Sequence, residues 1–304
     1  MSRLLGVVLA LVSCGERQVA EEPAADGIVW PAVVDSHVHV TYWPVADKLA
    51  ASGVATVVDL AAPESALGTA WPIQVIASGP MLTRPNGYPL ESWGSEGYGN
   101  ACADAACVAQ TIDRMAAKGA RVVKIAMGDN GLDAALVPVA VEHAHAKQLV
   151  IAVHALDNAS ALLAATAGAD LLAHTPTEPL TPRTIAAWKG RAVISTLAAF
   201  GAPAAVDNLR ALRAAGCTVL YGTDLGNLRD AGPSTAEIGL LRQAGLDDAA
   251  ITAAMTTTPT SYWKLPAIGP GSNASYLLLE RDPTKDVRAL LAPRSVWIQG
   301  RRLK

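Results

Sequence analysis

Val33-Val34-Asp35-Ser36-His37-Val38-His39 is an apolar run that closes on a His-x-His pair. Residues two apart on a strand point to the same side, so the run presents two imidazoles together, at the reach of one metal ion. Lys124, His154, His174 and Asp224 repeat the pattern, each at the C-terminal end of its own apolar, strand-like run. An ordered set of this kind does not arise readily by chance, whereas a lone x-His-x-His would.

Working outward, strand-like runs are read at Val33–Val40, Ala55–Leu60, Ile73–Ser78, Arg121–Ala126, Val150–Ala155, Asp170–Ala173, Ala192–Thr196 and Thr218–Gly222. Helix-like stretches lie between most of them: Val45–Ala51, Ala105–Lys118, Leu132–Lys147, Ala159–Ala167, Thr181–Lys189 and Ala204–Ala215. Gly53, Gly119, Gly168, Gly190 and Gly216 are the expected helix stops. Thr181-Pro182 and Asn158 are the expected starts. A short second helix is read around Glu64–Ala70, and the longest irregular segment is Gly79–Asn100. Eight short apolar strands alternating with helices predict an α/β fold, a (β/α)8 TIM barrel over residues 33–265. An open doubly wound sheet is the alternative, but no Gly-rich dinucleotide loop follows the first strand. The end of the chain changes character. Ser275–Leu279 and Val296–Leu303 read as strands of a small β appendage spanning residues 266–304.

The 304 residues carry a formal net charge of −3 with lysines and arginines scattered, which gives no electrostatic case for nucleic acid as a partner. Hydrophobic residues make up 51% of the chain, much of it alanine, with a single Phe, which argues against disorder and for closely packed helices on buried strands. Residues 1–14 hold one positive charge, Arg3, then the apolar run Leu4–Val12 and Cys14; the run is too short to span a bilayer. It resembles a bacterial lipoprotein signal. That resemblance implies cleavage before Cys14, acylation of its thiol, and an exported protein lipid-anchored at the cell envelope, with no other membrane contact; a plain signal peptide is the alternative. Residues 15–32 are then a linker and a short N-terminal strand. Outside the cytoplasm Cys102 and Cys107 are able to close a small loop. Within one helix they would not, because side chains five apart diverge around the axis. Cys217 reads as a small buried hydrophobe.

The polar residues at the strand ends converge on one mouth if the barrel forms, since catalytic groups of such barrels sit at the C-terminal ends of the strands. His154 and His174 are 20 residues apart, one β/α unit, and His174 and Asp224 are 50 apart, two units. Imidazole and carboxylate ligands together suit Zn²⁺, with Mn²⁺, Fe²⁺ or Co²⁺ as substitutes. His143 and His145 fall in a helix and are read as structural.

The same pieces, with Val123-Lys124-Ile125, Val153-His154-Ala155, Ala173-His174-Thr175-Pro176, Ile194-Ser195-Thr196-Leu197 and Gly222-Thr223-Asp224, resemble the metal-dependent amidohydrolase superfamily over roughly residues 30–304. They are most similar to the branch of imidazolonepropionases and the related prolidases and carboxypeptidases. The resemblance implies a binuclear site. His37, His39 and Asp224 would hold one metal, His154 and His174 the second, and Lys124, carboxylated by CO2, would bridge them as a carbamate. It further implies a hydroxide shared by the two metals, its parent water lowered in pKa to about 7. Asp224 would act as the catalytic proton shuttle, with Asp35 as a supporting partner. The appendage departs from the family's β-sandwich: its N-terminal part is short, and Gly271–Tyr276 stands where an Ala-Asp pair is usual. Arg84, Tyr88, Trp93, Tyr98 and Arg229 are candidates for contacting a small-molecule substrate, but no substrate-binding residue is assigned. Cleavage of an amide in a dipeptide, N-acyl-amino acid or cyclic amide is the leading expectation. A lactonase or esterase, a mononuclear deaminase and a non-enzymatic surface binding protein remain alternatives, and a homo-oligomer is left open.

Overall fold

A computed structural model describes residues 27–269 and 272–304. The strands in chain order are β1 (Ile28–Pro31), β2 (Val33–Val38), β3 (Val54–Asp59), β4 (Gln74–Ala77), β5 (Met81–Thr83), β6 (Gly99–Ala101), β7 (Val122–Ala126), β8 (Val150–His154), β9 (Leu171–Leu172), β10 (Ala192–Ile194), β11 (Thr218–Leu220), β12 (Tyr276–Leu279), β13 (Ser295–Ile298) and β14 (Arg301–Arg302). All eight strands expected between residues 33 and 222 are present. β5 and β6, inside the segment read as irregular, are additions.

The fold is α/β. A seven-stranded parallel sheet runs β11-β10-β9-β8-β7-β5-β6, and a three-stranded parallel sheet runs β2-β3-β4. The two meet at both ends. β4 continues through Ser78-Gly79-Pro80 into β5, and Ser78 N–H still donates to Asp59 at 2.9 Å. At the other end Ser36 N–H donates to Tyr221, Asp224 N–H to His37, and His39 N–H to Leu225, at 2.9, 2.8 and 2.6 Å.

Every residue of β2, β3 and β7 is buried, as expected of parallel strands covered on both faces. Alternation then decides which side chains enter the enclosed side. Val34, Val58, Ile76, Val122, Ala152, Leu171, Ala192 and Leu220 form one cluster with Trp263, while Val123, Ile125, Ile151 and Val153 pack outward against the helices. Lys124 and His154, two residues beyond Val122 and Ala152, therefore share the inner face.

The helices between strands include Ala105–Ala117, Val137–Ala146, Asn158–Ala167, Pro182–Ala187, Pro203–Ala214 and Thr235–Gln243. Alanines at 140, 144, 161 and 164 are fully buried and let these helices lie close on the sheet. All five glycines expected to stop helices adopt positive φ, a conformation open to glycine at no steric cost. Thr181 caps its helix as expected; at the preceding one the cap is Asp157, which accepts from Ser160 N–H at 2.7 Å, and not Asn158. Asn158 Oδ1 instead accepts from Thr181 N–H and Thr184 Oγ1 at 2.9 and 2.8 Å, tying two helix starts together.

The antiparallel sheet β1-β12-β13-β14 forms the appendage, with Ile28 opposite Leu279 and the rings of Tyr276 and Trp297 stacked at 5.3 Å. A disulfide joins Cys102 to Cys107, possible because Cys102 precedes the helix that begins at Ala105. Cys217 is free and buried, its thiol donating to the Trp188 carbonyl. Cys14 and the apolar N-terminal run lie outside the described residues. Among those described, no helix is long and apolar enough to cross a membrane.

Candidate metal centre

β2 ends in a register irregularity between Asp35 and Val38, and the rings of His37 and of His39 just beyond the strand stand edge-on to each other with centroids 5.2 Å apart. Asp224 faces both. Its Oδ1 lies 3.6 Å from His37 Nε2 and 3.2 Å from His39 Nε2, and one ligand atom from each of the three residues falls within 4.8 Å of the others. Asp224 takes a left-handed φ of 57°, a conformation aspartate tolerates better than most residues. Asn227 Nδ2 donates to its Oδ2 at 2.8 Å, leaving Oδ1 turned to the histidines. His37 Nδ1–H donates to the Ala173 carbonyl at 2.7 Å, which leaves a lone pair on Nε2.

The remaining expected residues join this group. The His174 ring lies 4.3 Å from that of His37 and 4.9 Å from that of His154. His174 Nδ1 is hydrogen-bonded to Thr196 Oγ1 at 3.1 Å. Lys124 is fully buried, and its Nζ has no hydrogen-bond partner among the described residues. His37 Nε2 and Asp224 Oδ1 are likewise buried without one.

Burial sets the charges. It pushes His37 and His174 well below the usual imidazole range and His154 down to about 3, so all three are neutral with lone pairs free to coordinate. Burial also brings Lys124 down to about 7, against the pull of Asp224. For Asp224 burial acts upward, but the imidazoles of His37, His39 and His174 around it outweigh it and hold the carboxyl well below its ordinary value. Three buried polar atoms without partners would each cost free energy in an apolar interior. Four imidazoles, a carboxylate and a neutral amine are the donor types that suit a divalent transition metal, zinc above all. The residues fit such a group.

Asp35 does not face this cluster. Its Oδ1 accepts from the N–H groups of His37 and Thr223 at 3.2 and 3.0 Å, and its Oδ2 from Thr223 Oγ1 at 2.5 Å, pinning the His37 strand to the Asp224 turn. Burial raises its carboxyl to about 7. A raised carboxyl favours the fold below its unfolded-state value near 3.8, and that contribution is lost as pH climbs through about 7. In chemical denaturation, wild type is therefore expected to lose ground against Asp35→Asn as pH rises from about 4 to about 7. A pH-independent difference between the two would contradict this.

Asp59, at the end of β3, was not among the candidates. It is fully buried and accepts from Thr41 N–H and Oγ1, both at 2.8 Å, while its Oδ1 sits 3.9 Å from His39 Nδ1. It can orient the His39 ring. Its signal in the sequence is the same as that of the candidate ligands, a carboxylate closing the apolar run Val54–Asp59. His143 and His145 pair with Asp113 and Asp170 at 3.0 and 2.9 Å on the outer helix, away from the cluster.

The long segment after β5 folds over the site. Trp93 lies 4.8 Å from the His39 ring and Tyr88 5.0 Å from His154, while Phe200, the single Phe, lies 4.8 Å from His174. Tyr98 is one layer out, against Trp93 and Tyr42. Arg229 stacks over Trp43 at 4.2 Å. Arg84 donates to Asn130 Oδ1 at 2.8 Å, in a cleft of about 390 Å³ that it shares with Asp129 and Asp133.

No family model matches this chain, and no curated protein matches it by sequence. Solved structures do match. A Xaa-Pro dipeptidase with methionine bound in its active site superposes with a TM-score of 0.77 at 17% identity, over 92% of this chain and 87% of that one. An ochratoxinase from A. niger gives 0.71 at 18%, over 91% and 83%. Bottromycin amidohydrolase gives 0.71 at 19%, over 92% and 77%. At these identities what is shared is the fold.

Proposed function

We propose that this chain is a binuclear metal-dependent hydrolase that cleaves an amide bond. The observation that carries the reading is the convergence of four histidines and Asp224 at the ends of parallel strands with an unpartnered, fully buried lysine inside β7. The strand order supports an eight-stranded (β/α) barrel: β2, β3, β4 continuing into β5, β7, β8, β9, β10 and β11 return to β2 through the Tyr221–Leu225 segment. Residues 33–265 would form that barrel and residues 266–304 most of the appendage. The superposing dipeptidase and amidohydrolase add support by fold.

His37, His39 and Asp224 would hold one metal, His154 and His174 the second, with Lys124 between them. Above about pH 7 the Lys124 amine is neutral; it can then add to CO2, releasing a proton and leaving a carbamate with oxygens for both sites. Bound zinc would polarise the scissile carbonyl and lower the pKa of a water to about 7. Asp224 is ionised and its Oδ1 is free, so it can take the proton of the attacking water there and pass it to the leaving nitrogen. Trp93, Tyr88 and Phe200 offer an apolar wall beside the histidines. Arg229, whose contacts are the rings of Trp43 and Tyr42 with no ion pair among the described residues, is suited to a substrate carboxylate. A dipeptide or N-acyl-amino acid with an apolar side chain meets both.

The disulfide supports an oxidising compartment, in keeping with export and anchoring through Cys14. Neither nucleic acid nor a further membrane contact is proposed.

The test is a panel of dipeptides, N-acyl-amino acids, cyclic amides and matched esters with zinc-loaded protein. Amide turnover that a chelator abolishes and zinc restores is expected. Hydrolysis of esters alone, or turnover indifferent to chelation, would overturn the reading.

A further inference from the structure

Among the described residues, Glu237 is a fully buried carboxylate that lies outside the metal cluster and the Asp35 and Asp59 contacts that support it. It sits in the first turn of the helix Thr235–Gln243, where Ser234 caps it. Its side chain leaves that helix and reaches the corner after β10. Oε1 accepts from Leu197 N–H at 3.0 Å and Oε2 from Ala198 N–H at 2.7 Å.

The residue directly before these two clamped N–H groups is Thr196. It is buried and left-handed, with φ 41° and ψ 32°, a conformation that crowds a β-branched side chain and persists only where its surroundings impose it. From there its Oγ1 meets His174 Nδ1 at 3.1 Å. The same corner begins the short helix Leu197–Phe200, which sets Phe200 on the other side of the His174 ring. A buried acid and a strained threonine are both unfavourable choices where glycine and an apolar residue would make a looser corner.

We propose that Glu237 is a positioning residue for His174. By clamping the backbone of residues 197–198 it forces Thr196 into the conformation whose hydroxyl fixes His174 Nδ1, so that Nε2 is the atom offered to a metal. Glu237 does not touch His174 and acts through Thr196. The inference rests on the reading above that His174 is a ligand.

Zinc affinity, measured by chelator competition alongside thermal unfolding of the zinc-free protein, tests it. Partners that orient ligating histidines are worth about 10–100-fold in metal affinity. Glu237→Ala is expected to weaken the second zinc equivalent by that factor and leave the first unchanged. Thr196→Gly, which relieves the strain and removes the hydroxyl, is expected to raise the melting temperature and yet weaken the same equivalent. Thr196→Ser should bind as wild type does. The double variant Glu237→Ala/Thr196→Gly should be no weaker than the worse single one. A purely structural corner predicts otherwise: lower melting for Glu237→Ala with zinc affinity unchanged, and full zinc affinity in Thr196→Gly. Either result overturns the proposal, and the threonine variants decide it even if Glu237→Ala does not fold. Wild-type protein that binds no zinc would instead sink the hydrolase reading itself.

Discussion

Lys124→Ala is expected to reduce amide turnover by about three orders of magnitude or more, the scale of removing a group that organises charge in the transition state. Lys124 is fully buried with no partner for its amine, and burial holds it near neutrality at about 7. A lysine kept only for packing would be replaced at little loss by leucine or methionine. A lysine kept as a nucleophile toward CO2 must be neutral and must point at the place where the carbamate is needed. Its strand supplies that direction, because Val122 on the same face lies in the inner cluster. Short carboxylic acids such as acetate should restore part of the activity of Lys124→Ala, since they place two oxygens in the space vacated. Lys124→Arg should not recover, because a guanidinium forms no carbamate. Steady-state kcat/KM with and without acetate is the measurement, and wild-type activity in Lys124→Ala would refute the assignment.

Asp224→Asn should cost both activity and stability. Turnover is expected to fall by about 10⁴-fold, because the amide has no basic oxygen to accept the proton of the attacking water. The metal-free fold is expected to lose stability as well, because a carboxyl held well below its ordinary value is one whose ionised form the fold favours, and a neutral amide lacks that contribution. The amide oxygen can keep the bond from Asn227. Denaturation of chelator-treated protein at neutral pH reads the second effect. A metal-free Asp224→Asn more stable than wild type would contradict it.

How much of this was legible in the sequence follows from what each residue has to do locally. The parallel strands read clearly because strands covered on both sides need apolar runs, and glycine marks the helix ends. The candidate ligands read clearly because each polar residue lies in or at the end of such a run. β5 was missed because Ser78-Gly79-Pro80 looks like the end of a strand, whereas here the chain bends and continues. The helix expected from Leu132 starts at Val137, because Asp133 Oδ1 takes the Ala135 N–H at 2.9 Å in a local turn. Pro138 then opens the helix. The Cys102–Cys107 pair hinged on where a helix begins, which a sequence fixes poorly. Asp59 carried the ligand signal and was overlooked. Glu237 carried none, since a glutamate in a first helical turn looks like any surface residue; only the tertiary contact to the Thr196 corner distinguishes it.

The central claim is that this cluster of side chains is a two-metal site with Lys124 between the ions. Metal content per chain, by elemental analysis of protein prepared with zinc and bicarbonate, tests it most directly. About two zinc ions in wild type, falling to one or none in Lys124→Ala, is the predicted result. One ion unchanged by that substitution, or none in either protein, would contradict it.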